Sequence, residues 1–275
     1  MIRRRVLAAL AALLPMACVL GEVDYEGKRC PCPSSLFCVD GLCRAAPPSD
    51  AGVPKDVAID VGAPFCPTHD PGDAGICGDF SDPSALLTFT VGLANGTASI
   101  DTVEYLSPPG SLICTVRALS SGEQGNAIVN HDIAGPKTRV SLSFAAKLAM
   151  TPATAIGRFA TLAFDTGYAV GLRPTATSIR IDETVPVDAA APASHAEHAV
   201  DWSRGWIHFE LALDRSGASP VGSLRMEGDA VESSSPLAAG LTFGGLTSIV
   251  LGPGYVGGPS DAVTVHFDDV VLTYE

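Results

Sequence analysis

Val140-Ser141-Leu142-Ser143-Phe144-Ala145-Ala146-Lys147-Leu148-Ala149-Met150 alternates its residue types at every second position, and that alternation decides the fold class. Successive side chains of an extended chain point to opposite faces. Val140, Leu142, Phe144, Ala146, Leu148 and Met150 therefore line one buried face, and Ser141, Ser143, Ala145, Lys147 and Ala149 line the other. A second run repeats the pattern: Ile207, Phe209, Leu211 and Leu213 alternate with Trp206, His208, Glu210, Ala212 and Asp214. Both read as half-buried strands of an antiparallel sheet. No stretch after Leu86 shows a long capped helical period, and Gly/Pro-rich turns separate the strand-like runs. The expectation is an all-β, two-sheet antiparallel sandwich of the jelly-roll kind. Asn95-Gly96 predicts a hairpin turn, and the polar runs at 189–199 and 232–240 read as loops.

The last strand carries a finer signal. Val263, Val265 and Phe267 share one phase, whereas Val270, Leu272 and Tyr274 share the other. The slip falls at Asp268-Asp269 and predicts a β-bulge, because one extra residue reverses the phase of everything after it.

Upstream of the sandwich the chain changes character. Met1 to Ala17 joins three arginines to an apolar run from Val6 to Leu14, which reads as an export signal too short to span a bilayer. Cys30, Cys32, Cys38 and Cys43 follow closely, and in an oxidising compartment such density reads as a knob stapled by two disulfides. Zinc is the rival reading, but Cys30 and Cys32 are spaced more tightly than structural zinc pairs. Residues 44–65 are rich in Ala, Pro, Asp and Gly and poor in large apolar side chains, which makes them a linker. The expected layout is a signal peptide over 1–17, a tether and knob over 18–43, the linker, then the sandwich over 66–275. Among the later cysteines, Cys114 shares a strand phase with Leu112 and Val116 and reads as a buried hydrophobe. That leaves Cys66 to pair with Cys77; Cys77 with Cys114 is the competing pair.

The 275-residue chain carries 30 acidic and 17 basic residues, a formal net charge of −13, and losing the signal's arginines makes it more acidic still. Such a surface repels polyanions, so nucleic acid is not an expected partner.

Two resemblances add to this reading. Leu14-Pro15-Met16-Ala17-Cys18 resembles the lipobox of bacterial lipoproteins, with Pro15 where a leucine is usual. It implies acylation of Cys18 and an envelope lipoprotein that meets the membrane only through its lipid. Ordinary cleavage near Gly21, with release of a secreted or periplasmic protein, is the alternative. Four stretches of the sandwich, Cys77-Gly78-Asp79-Phe80, Ser107-Pro108-Pro109-Gly110-Ser111-Leu112, Trp206 to Asp214, and Phe267-Asp268-Asp269-Val270-Val271-Leu272, resemble the concanavalin A-like lectin/glucanase superfamily and its laminin-G-like members. The resemblance implies ligands on one curved sheet or its rim. It also implies a structural calcium ion held by Asp268, with Asp79 as companion, which suits hard carboxylate oxygens.

Catalysis finds little support. The Glu22-Val23-Asp24-Tyr25-Glu26 string has the alternating carboxylates of a retaining glucanase, but it lies in the tether. Asp182 and Glu183 are neighbours on a strand and point to opposite faces. His195 and His198 sit in an Ala-rich stretch that reads as a solvated loop. A polysaccharide lyase of this fold remains the enzymatic alternative, with His208, Tyr168, Arg158 and Arg180 as available residue types. An inert envelope protein is the structural one. The favoured reading is a surface-displayed, non-catalytic module that binds a glycan or cell-surface partner through the outward row Trp206, His208 and Glu210, since sugars are held by aromatic faces and planar polar groups.

Overall fold

The computed structural model describes residues 36–39, 42–45, 65–69, 71, 75–78, 80, 89–133, 135, 137–152, 154–186, 192–217, 219–238 and 245–275. Cys18, the Glu22 to Glu26 string, Cys30, Cys32 and Asp79 lie outside the described residues. The chain divides into two compact units, Met1–Ala58 and Ile59–Glu275. The described part of the first is a hairpin of β1 (Leu36–Val39) and β2 (Leu42–Ala45), in whose register Cys38 faces Cys43.

The second unit opens with a short helix α1 (Cys66–His69) and β3 (Gly75–Gly78), joined by the Cys66–Cys77 disulfide. Then come β4 (Thr90–Ala94), β5 (Gly96–Asp101), β6 (Ser111–Val116), β7 (Gln124–Asp132), β8 (Arg139–Ala149), β9 (Ala155–Ile156), β10 (Ala160–Phe164), β11 (Ala169–Pro174) and β12 (Ser178–Thr184). The chain continues through β13 (His198–Ala199), a 3-10 turn at Trp202–Arg204, β14 (Ile207–Asp214), β15 (Val221–Met226), β16 (Asp229–Pro236), β17 (Leu246–Leu251), β18 (Val256–Gly257) and β19 (Val263–Tyr274). Among the described residues these form two antiparallel sheets. The nine-stranded one runs β13-β12-β11-β10-β17-β7-β18-β9, with β4 also on β7. The eight-stranded one runs β16-β15-β14-β8-β19-β6-β5, with β3 also on β19.

The alternation read in β8 and β14 is what seats the two sheets on each other. Phe209 pairs with Phe144 and Leu211 with Leu142 in the β14–β8 register, so both strands turn the same phase inward. Phe144, Phe209 and Phe267 of the eight-stranded sheet meet Phe159, the residue just before β10, with ring centroids 5.7–6.1 Å apart. All four rings are fully buried, and truncating any one to Ala costs about 3–5 kcal/mol. Cys114 is a free, buried thiol in this core, and burial pushes its pKa up to about 12, which keeps it unreactive.

The predicted bulge is present. The β19–β8 register shifts between Asp268 and Val271, and Asp269 takes φ of 51°. Two local readings are corrected. Asn95-Gly96 turns no hairpin: β4 belongs to the nine-stranded sheet and β5 to the eight-stranded one, so this pair is the corner where the chain changes sheets. Asn95 takes the positive φ, and a Cβ on Gly96 would stand 2.5 Å from the Asn126 carbonyl oxygen, so only glycine lets the two sheets approach there. The polar run from Glu232 is not a loop but most of β16, an edge strand whose polar residues suit one open edge.

Candidate functional site

The outer face of the eight-stranded sheet carries the Trp206, His208 and Glu210 row. Ile207, Phe209, Leu211 and Leu213 are buried, and the residues between them face outward, with His208 exposed. Ser143 Oγ lies 2.9 Å from His208 Nε2, Ser141 donates to Glu210 Oε1 at 3.2 Å, and Arg225 stands 3.9 Å from Glu210 Oε2. The Trp206 ring meets the edge of His266 at a centroid distance of 6.1 Å. The neighbouring Trp202 is the one that closes the sandwich, packing on Phe159 and Phe209 and donating its indole N–H to the Thr175 carbonyl. From Trp206 to Asp214 the strand spans about 26 Å. At the Asp214 end a groove of about 430 Å³ opens, lined by Ser141, Ala212, Asp214, Ser223 and Thr273 among others.

The loop between β5 and β6 borders the Trp206 end and is held by carboxylates. Asp268 Oδ2 accepts from the backbone N–H of Leu106 at 2.7 Å and of Ser107 at 2.9 Å, while Oδ1 accepts from the Asp269 N–H. Ser107 donates its hydroxyl to Asp269. Asp101 Oδ1 accepts from the Val103 and Glu104 N–H groups. Beneath the loop His266 is buried, with Ser111 at 3.4 Å, Glu104 at 3.5 Å and Asp101 at 3.7 Å, and Lys147 pairs with Glu104. Burial lowers the His266 pKa against the pull of those two acids. Loop residues Val103, Tyr105 and Leu106 stay exposed.

This geometry bears on the calcium expectation. Asp268 is neither at a surface nor at a sheet edge: it is 0% exposed in β19, between β8 and β6. Burial raises its pKa to about 6 against the hydrogen bonds it receives. Both of its oxygens face peptide N–H donors, the opposite of what a cation presents, and among the described residues no group of three His, Cys, Asp or Glu is placed to hold a metal. The residues present do not fit a calcium ion at Asp268; they fit a pin for the loop.

A second polar cluster replaces the solvated loop expected around His195. The His195 side chain is 1% exposed. Its Nε2 lies 2.8 Å from Glu183 Oε1 of β12, and its Nδ1 lies 2.8 Å from Glu232 Oε1 of β16. Tyr168 donates to Glu183 Oε2 at 2.5 Å, the Ala238 N–H donates to the same oxygen, and His198 Nε2 reaches Glu232 Oε2 at 3.2 Å. Two carboxylate acceptors on one imidazole require both ring nitrogens to carry protons. The hydrogen bond to Glu183 raises the His195 pKa against burial, with Glu232 adding to it. In both acids burial raises the pKa but is outweighed, by His195, Tyr168 and Ala238 for Glu183, and by Ser235, His195 and His198 for Glu232, so both end below the ordinary range. The cluster is a clasp between the sheets, joining β12 of one to the edge strand β16 of the other.

The lyase residue types do not converge. Tyr168 is buried in the clasp. Arg158 and Arg180 surround Asp182, whose phase is opposite to that of buried Glu183. His208 is on the outer face of the other sheet.

No protein-family model matches this chain, and no curated protein matches it. Solved structures do. Cellulose induced protein Cip1 superposes with a TM-score of 0.53 at 16% identity, over 72% of this chain and 96% of that one. An alginate lyase A1-II' matches with a TM-score of 0.42 at 9% identity, over 64% of this chain and 84% of that one. The botulinum neurotoxin serotype C1 binding domain matches with a TM-score of 0.42 at 13% identity, over 68% of this chain and 49% of that one. The likeness to Cip1 shows the fold, a concanavalin A-like jelly roll.

Proposed function

We propose that the sandwich is a non-catalytic carbohydrate-binding module whose ligand lies along the outer face of the eight-stranded sheet. The observation that carries this reading is the continuous open strip from Trp206 through His208 and Glu210 to the 430 Å³ groove. An aromatic face, planar polar side chains and hydroxyls line it, the combination that meets both the apolar and the hydroxyl faces of sugars. Glu210 and Asp214 do not form a glycosidase pair: they lie on one strand four residues apart, about 13 Å along the chain against the ~5–9.5 Å that hydrolysis uses. Display at a membrane surface through acylated Cys18, on the 44–65 spacer, completes the reading.

A glycan array, run with and without calcium and alongside a reducing-end and unsaturated-product assay on the same polysaccharides, tests it. Binding without turnover supports the module. Sustained product formation replaces it with an enzyme. Anchoring is tested separately: Cys18→Ala is expected to move the protein from the membrane to the soluble fraction, and unchanged partitioning rules acylation out.

A further inference from the structure

The charges along this strip go further than its shape and, resting on the binding reading above, indicate which glycans it takes. Among the described residues, the strands of the eight-stranded sheet carry three cations near the strip, and each already meets an acid. Arg139 stands 3.3 Å from Asp214 and 3.4 Å from Glu275, Arg225 stands 3.9 Å from Glu210, and Lys147 pairs with Glu104. Lys137, beside the groove, places its ammonium over the Tyr274 ring. The acids outnumber these cations. Asp101 faces His266, whose pKa is lowered by burial, and exposed Glu227 accepts a backbone N–H from His208.

A sugar carboxylate laid along this strip would have to break an existing ion pair and would face the remaining acids. An ammonium would find carboxylates already oriented at the surface. We propose that the strip selects amino-bearing, cationic glycans over neutral ones and disfavours uronate-bearing ones. The groove and the aromatic row supply contacts that all three classes share; the carboxylate excess supplies the discrimination. Exposed charge contacts are individually weak and screened by salt, so the expected preference is modest and salt-sensitive.

The test uses the whole exported chain and three soluble probes of equal length, a chitosan oligomer, a cello-oligomer and an oligomannuronate, titrated at low and at high ionic strength. The expected result is that the chitosan oligomer binds about fivefold to tenfold more tightly than the cello-oligomer at low salt, that the oligomannuronate is weakest, and that the gap closes in high salt. Glu210→Gln removes one acid and frees Arg225, so it is expected to narrow the ratio between chitosan and uronate oligomers. Equal binding of the chitosan and cello-oligomers, or tightest binding of the oligomannuronate, overturns the charge inference and leaves the binding module standing. No binding of any probe, with the fold intact by circular dichroism, overturns both.

Discussion

His195 and His208 lie on opposite sides of the same question. The His195 side chain is 1% exposed and sits 2.8 Å from each of two carboxylates, one from each sheet; His208 is exposed and meets a serine hydroxyl at 2.9 Å. Both neighbourhoods are built from histidine, glutamate and serine. In the clasp both ring nitrogens of His195 and the Tyr168 hydroxyl meet carboxylates inside the protein, and burial makes each of those bonds hard to replace. On the outer face the polar groups are half-used and water reaches them, which is the condition a binding surface needs. Residue type does not separate structure from function here; saturation of partners does.

The sharpest way to break that contrast is to remove one histidine from each side. His195→Ala leaves two carboxylates facing each other across a buried gap and is expected to destabilise the domain by about 3–5 kcal/mol in urea unfolding. His208→Ala on the open face is expected to shift stability by about 0.5 kcal/mol or less. Equal costs would mean that the clasp is not the structural element described.

The two tryptophans give the next contrast. Trp202→Ala opens the packing against Phe159 and Phe209 and is expected to cost about 2 kcal/mol, less than a fully buried ring because Trp202 is only half-buried. Trp206→Ala is expected to leave the urea midpoint nearly unchanged.

The clasp also fixes how stability depends on pH. His195 has a raised pKa, so its contribution is fully present below 6.5 and is lost as pH rises through its folded value. Glu183 and Glu232 have lowered values, so theirs is present above 4.5 and is lost as pH falls through their folded values. The clasp is therefore strongest between those limits, and His195→Gln is expected to flatten the alkaline limb of a melting-temperature profile. Asp268 acts in the opposite sense to the two glutamates. Its value is raised to about 6, so the folded state gains relative stability as pH falls from about 6 towards 3.8. Carbon-detected NMR is expected to find its carboxyl midpoint near 6. A midpoint at or below 3.8 would show that the N–H bonds outweigh burial.

Much of the fold was legible because strand phase is local. The inward set of β8 and β14, the slip at Asp268-Asp269 and buried Cys114 follow from period-2 reading over a few residues, and the Cys66–Cys77 pair follows as what remains once Cys114 is set aside. The outward row Trp206, His208 and Glu210 follows from the same phase. What sequence missed depends on distant parts of the chain meeting. Asn95-Gly96 has the composition of a hairpin, but its flanking strands find better partners in different sheets. His195 meets Glu183 and Glu232 at separations of 12 and 37 residues. One local clue existed: Glu183 shares the inward phase of Ile179 and Ile181, and a carboxylate on a buried face requires a partner. The loop-pinning role of Asp268 had no such clue, since the loop N–H groups that it accepts from lie more than 160 residues away.

The most direct test of the account is to measure ligand affinity and unfolding on the same samples of wild type and Trp206→Ala, with the chitosan oligomer as probe. The predicted result is affinity weakened about tenfold or more, an amount on the order of one stacking contact, at an unchanged unfolding midpoint. Affinity that survives Trp206→Ala, or that falls only in variants that also unfold more easily, such as His195→Ala, would contradict the assignment of binding to the outer face of the eight-stranded sheet.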